Sequence, residues 1–252
     1  MQPWENALNK FLERYINEPW FDGALLCGSY ASGNQNKFSD IDIVIIASEN
    51  IDWSDRGCCY IDDFLVEYFI DTPTKYKEYM ANLLRGHKPF IQHFFVYGKI
   101  LQDPNGSVAK LREYAQADLA KPLEPMPENS RNFLKYLLWD SYDELKSLAA
   151  NRWHIDLQYW VLVNSLITAY YDFANIAHAP FGKLEQILTD SKFAEKYHIK
   201  ENPPKEFTEK LMACMKSETK DDKMMAIDDF YNYVINCGGG FDIGKFSTRQ
   251  KH

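Results

Sequence analysis

Two aspartates separated by one residue, Asp40-Ile41-Asp42, open an apolar run at 41–46, and a Gly28-Ser29 pair follows an earlier apolar run at 24–27. On an extended strand, residues i and i+2 leave the same face, so the two carboxylates stand a few ångströms apart. Like charges that close repel unless a cation lies between them. Mg²⁺ meets that need because it takes carboxylate oxygens and keeps substrate phosphates among its remaining ligands. The Gly28-Ser29 turn supplies a complementary part, since a small residue at the start of a short helix lets backbone N–H groups and a Ser hydroxyl approach a phosphate. Gly33 tightens the same loop, and the connection 30–39 folds back so that phosphate cradle and metal pair face one nucleoside triphosphate. The stretch 28–33 is not a Walker phosphate loop, because no Gly-Lys-Ser/Thr follows it.

Elements able to position these groups are legible on both sides. The run at 41–46 is β-branched and largely apolar, as expected of a strand buried on both faces. Segments 60–61 and 64–70 flank Asp62-Asp63, which predicts a hairpin with an acidic turn. Trp4, Leu8, Phe11, Leu12 and Tyr15 recur at helical spacing and predict a helix over 4–16, closed before Pro19. Further helices are expected at 74–85, 89–99 and 108–120, with a turn at Asp103-Pro104-Asn105-Gly106. The first part therefore reads as a small mixed sheet with helices against it. Three prolines in the polar stretch 121–130 mark the boundary. Beyond it, helices are predicted at 131–150, 153–177, 183–197, 204–216 and 221–236, the last stopped by Cys237-Gly238-Gly239-Gly240. The expected class is α+β followed by an all-α bundle, with domains at 1–120 and 131–252 joined by 121–130.

Composition narrows the partners. A chain of 252 residues with 46% hydrophobic content can bury the cores of two modest domains. The net charge of −8, from 36 acidic against 28 basic residues, disfavours a nonspecific grip on nucleic acid, which depends on Lys and Arg releasing counterions. A cationic or neutral partner fits better. The start of the chain lacks a basic segment followed by an apolar one, so no secretory signal is expected. The longest uncharged stretch, 157–171, is too short to span a bilayer and contains Gln158, Asn164, Ser165 and Thr168. Five cysteines without a CxxC pair read as reduced cytoplasmic thiols. A homodimer is compatible with this pattern.

Gly28-Ser29, the connection 30–39 and Asp40-Ile41-Asp42 together resemble the signature of the nucleotidyltransferases of the DNA polymerase β superfamily, especially the minimal and antibiotic-modifying branches. The resemblance implies metal-dependent transfer of a nucleoside monophosphate from a nucleoside triphosphate, ATP by family habit, to an acceptor hydroxyl with release of pyrophosphate. It also implies a third carboxylate from a later strand. Glu67, within Val66-Glu67-Tyr68-Phe69-Ile70, is the choice, and Asp62 and Asp63 are the alternatives, although a hairpin turn accounts for both. Asp40, Asp42 and Glu67 would then hold two Mg²⁺ ions, with Glu67 completing the site or acting as the base. Gly28, Ser29 and Ser39 would lie against the nucleotide.

The second half, with Ala179-Pro180-Phe181-Gly182-Lys183 after a long helix, resembles the helical domain of aminoglycoside and related nucleotidyltransferases, which implies Lys183 as a triphosphate contact. A cleft between the two domains would hold nucleotide and acceptor. His154 and His178 could line an acceptor site, but helix-end histidines in solvent are the simpler reading. Likewise Trp153, Tyr159, Trp160, Tyr170, Tyr171 and Phe173 read first as core and only second as a stacking wall. Three functions follow: transfer to a small molecule such as an aminoglycoside-like antibiotic, an antitoxin-like protein that adenylylates or neutralises a protein partner, and nucleotide binding without turnover. The acidic balance favours the first, because cationic acceptors need carboxylates around them.

Overall fold

A computed structural model describes residues 2–199 and 201–247. The chain divides into two compact units between Pro122 and Leu123. The first is built on a five-stranded sheet in the order β3-β4-β2-β1-β5. Its strands are β1 (Phe21–Leu26), β2 (Ile41–Ala47), β3 (Asp55–Ile61), β4 (Phe64–Asp71) and β5 (Lys99–Gln102). Only β2 and β4 pair in parallel; the other neighbours are antiparallel.

The sheet is covered on both faces, and β2 shows why its sequence is apolar throughout. Ile41, Ile43 and Ile45 point into a core shared with Ala7, Leu8 and Phe11 of α1 (Pro3–Leu12). Val44 and Ile46 point to the opposite core. There they meet Tyr76 and Met80 of α3 (Pro73–Arg85), Phe95 of α4 (Phe90–Tyr97), and Val108 and Leu111 of α5 (Ser107–Leu119). Short α2 (Gly28–Ser32) links β1 to the loop that leads into β2. Asp42 is the one residue of β2 that is not fully buried.

Several boundaries differ from the sequence reading, each for a local reason. Helix α1 stops at Leu12 rather than at 16, and the next residues form tight turns in which the Arg14 and Tyr15 N–H groups donate to the Phe11 and Leu12 carbonyls. The helix expected at 89–99 ends at Tyr97, because Gly98 is extended and its Cα lies so close to the Phe94 and Leu26 carbonyls that a side chain would clash. Residues 99–102 then pair with β1 as β5. Strand β3 begins at Asp55, well before the predicted start at 60; most of its residues are exposed, so it carries no apolar period to read.

The second unit is helical. It contains α6 (Glu128–Ala150), α7 (Asp156–Ala174), α8 (Leu184–Thr189), α9 (Ser191–Lys196), α10 (Lys205–Lys216) and α11 (Lys220–Cys237). The segment expected as one helix over 183–197 is broken at Asp190, whose extended backbone and side chain cap α9 by accepting from the Lys192 and Phe193 N–H groups. Helix α7 is shorter than the predicted 153–177 and ends at Asn175 in the left-handed conformation. Helix α6 takes in residues 128–130, which the sequence assigned to the connector. The core of this unit joins Tyr159, Leu162 and Leu166 of α7 to Phe207 and Leu211 of α10 and Phe230 and Val234 of α11. Tyr159, Tyr170, Tyr171 and Phe173 are buried there as packing residues, whereas Trp153 and Trp160 are exposed. No helix among the described residues is long and apolar enough to cross a membrane.

One buried polar contact ties α7 to α10: the Tyr159 hydroxyl donates to the Cys214 carbonyl at 2.8 Å. Removing the hydroxyl leaves that carbonyl without its partner in a buried core. Tyr159→Phe is therefore expected to lower unfolding stability by about 1–3 kcal/mol in urea titrations, without changing the secondary structure.

Candidate functional site

Parallel pairing of β2 with β4 sets Asp42 opposite Glu67 in register. Alternation along β2 places Asp42 on the face of Val44 and Ile46, one residue in from the start of the strand. Asp40 precedes the strand by one residue, and all three carboxylates are half-buried. One oxygen from each of Asp40, Asp42 and Glu67 lies within 4.8 Å of the others. Asp62 and Asp63 form the hairpin turn instead, where Asp62 accepts from Lys10 Nζ at 2.9 Å.

Gly28 closes this corner from the β1 side. Its φ is +61°, and a Cβ built on it would lie 1.9 Å from Asp42 Oδ2, so both the backbone conformation and the space demand glycine. The Cys27 N–H donates to the Asp42 carbonyl at 2.8 Å, which locks the turn to β2. Gly33 is left-handed and ends α2. Ser29 is half-buried in the first turn of α2. Ser39 closes the turn before Asp40: its hydroxyl accepts from the Asn36 N–H at 2.9 Å and its own N–H donates to the Asn36 carbonyl at 3.0 Å. Lys183 belongs to the helical unit, half-exposed in a 3₁₀ turn at Phe181–Lys183. His178 is also in that unit and pairs with Asp172 at 2.9 Å.

Electrostatics mark Asp42 out. Burial, then the charge of Asp40, then that of Glu67 raise its pKa from the ordinary 3.8 to about 7. The group thus holds a proton where two neighbouring carboxylates would otherwise repel it. A divalent cation offers the same relief. The donor set, three carboxylates, is that of a hard oxygen-binding cation. Two oxygens on one Mg²⁺ lie at most about 4.2 Å apart, so the observed spread closes with small side-chain rotations. These residues fit Mg²⁺.

One neighbour escaped the sequence reading. Arg56 of β3 donates from Nη2 to Glu67 Oε1 at 2.8 Å. A signal for it existed in the hairpin: a two-residue turn at 62–63 pairs Ile61 with Phe64, hence Cys58 with Glu67, and puts Arg56 next along the same face. The sequence reading started β3 too late to use it.

Residues 10–83 match the family model of the nucleotidyltransferase domain. That span takes in β1, α2, β2, β3, β4 and most of α3, and with them Gly28, Ser29, Asp40, Asp42 and Glu67. The chain thus has an N-terminal nucleotidyltransferase domain followed by a helical region. Among solved structures, a nucleotidyltransferase-like protein from Exiguobacterium sibiricum 255-15 aligns at 13% identity with a TM-score of 0.41, over 94% of this chain and 77% of that one. No curated protein matches the chain.

Two expectations follow. Gly28→Ala forces a side chain onto Asp42 from a left-handed backbone position. It should cost on the order of 1–3 kcal/mol and weaken divalent-cation binding, read by thermal unfolding with and without Mn²⁺. The second concerns pH. Because the Asp42 pKa is raised on folding, the metal-free folded state holds more protons than the unfolded chain between pH ~4 and ~7, and stability falls as pH rises through that window. A displacement of that size corresponds to at most about 4 kcal/mol. Asp42→Asn should therefore raise the unfolding midpoint in EDTA at pH 8 and leave it almost unchanged at pH 4; equal effects at both would show that Asp42 is not protonated in the fold.

Proposed function

We propose that the protein is a Mg²⁺-dependent nucleotidyltransferase that moves AMP from ATP to a hydroxyl of a small-molecule acceptor. The observation that carries this reading is the cluster of Asp40, Asp42 and Glu67 with oxygens within 4.8 Å of one another inside a span that matches a nucleotidyltransferase domain. The free state of all five cysteines is in keeping with a cytoplasmic setting. The acidic balance of −8 suits a cationic acceptor, an aminoglycoside-like antibiotic among them.

In this reading Asp40 and Asp42 hold the ions with Glu67 completing the ligand set, and the Gly28-Ser29 turn and Ser39 flank the phosphates. Bound Mg²⁺ would neutralise triphosphate charge and polarise the α-phosphorus. Glu67 takes the proton from the acceptor hydroxyl as its oxygen bonds to the α-phosphorus, and the bond from that phosphorus to pyrophosphate breaks in line. Apart from the Arg56 contact to Glu67, no side-chain hydrogen bond among the described residues engages the carboxylate trio.

The test is nucleotide transfer from α-labelled ATP, GTP, CTP and UTP to a panel of hydroxyl acceptors that includes aminoglycosides, with Mg²⁺ and with EDTA. Expected are pyrophosphate release and acceptor labelling from ATP that need Mg²⁺. Labelling that persists in EDTA would overturn the metal assignment. Glu67→Gln should keep ATP binding while transfer falls by about 10² to 10⁴; loss of binding together with transfer would make Glu67 chiefly a metal ligand.

A further inference from the structure

Arg56 lies on β3, at the edge of the sheet, where Cys58 pairs with Glu67 and Arg56 itself pairs with Phe69. Its guanidinium is held in two ways: Nη2 donates to Glu67 Oε1 at 2.8 Å, and the group sits 4.7 Å from the centroid of the Phe69 ring. The Arg56 side chain is 70% exposed and that of Glu67 27%. An ion pair this exposed adds little to folding stability. Yet the planar fork held over an aromatic face gives it a fixed geometry that a lysine at the same place would lack. Among the described residues, no other hydrogen bond holds the Glu67 carboxylate.

We propose that Arg56 is the positioning residue for Glu67, fixing the third carboxylate in the orientation that completes the cluster with Asp40 and Asp42. Arg56 touches neither metal nor substrate in this role. The inference rests on the reading of the three carboxylates as a metal site. Metal-ligating carboxylates depend on hydrogen-bond partners of their own, and losing one typically costs 10–100-fold in metal affinity.

Two effects of Arg56 on a bound cation oppose each other. Its positive charge repels the ion, whereas its hold on Glu67 prepares the ligand set. The repulsion acts from an exposed group and is screened by salt. The hold is a direct 2.8 Å contact. Positioning should win, and the two effects predict opposite signs for removing the side chain.

The experiment titrates Mn²⁺ into the whole chain at pH 8 and physiological salt, following free Mn²⁺ by electron paramagnetic resonance, for wild type, Arg56→Ala and Arg56→Lys. The unfolding midpoint of each is measured in EDTA. The expected result is a dissociation constant raised about tenfold in Arg56→Ala, partly restored in Arg56→Lys, with metal-free midpoints unchanged. Affinity equal to or tighter than wild type in Arg56→Ala would overturn the positioning role while leaving the metal site intact. Matching falls in the metal-free midpoints of both variants would assign Arg56 to holding the β3–β4 edge and also overturn it. A wild-type protein that takes up no Mn²⁺ would be recognisable as failure of the metal-site reading itself, which removes the role of Arg56 with it.

Discussion

Parallel pairing of β2 with β4 forces Asp42 and Glu67 side by side, and Asp40 adds a third carboxylate to the same corner. Much of the first unit is arranged around that crowding. Gly28 gives up its side chain because Asp42 Oδ2 already occupies the space. Asp42 retains a proton to near neutrality because it is desolvated by burial and faces two like charges. Arg56 reaches across from the neighbouring strand β3 and sets a counter-charge against Glu67. An arrangement that repels itself in the absence of a cation persists only when the surrounding structure over-determines it.

That surrounding structure is the doubly covered sheet. Ile41, Ile43 and Ile45 are anchored against α1, and Val44 and Ile46 against α3, α4 and α5, so β2 cannot slip or rotate to carry Asp42 away from its neighbours. A one-residue slip would carry Asp42 to the opposite face and bury it against α1. Pairing on both sides, with β1 and with β4, holds the same strand in the plane. Stability gathered over the apolar length of the strand thus supports a corner that is electrostatically unfavourable when no cation is bound.

The helical unit has a different organisation. Its core runs through the buried face of one helix, α7, packed by α6, α10 and α11, and its polar groups serve local ends: Asp190 and Thr219 cap helices, and Tyr159 joins α7 to α10. The buried tyrosines of α7 are explained by this packing, with no need for a stacking wall. His178 is similarly accounted for by its contact with Asp172.

Local pattern alone determined a good deal. The i, i+2 aspartates before a β-branched run, the Gly-Ser turn, the acidic hairpin turn and the long helices were legible because each depends on neighbours in sequence, where periodicity and turn chemistry operate. Strand β5 was hidden because four residues carry no period, and the start of β3 because an exposed edge strand does not need apolar alternation. What only the tertiary structure decided were relations between segments. The register that brings Glu67 to Asp42, the near-contact that restricts position 28 to glycine, the shift of the Asp42 proton affinity and the contact from Arg56 all join residues from different elements. Distances between strands follow from how the whole sheet pairs and packs, and nothing in the spacing along one strand specifies them.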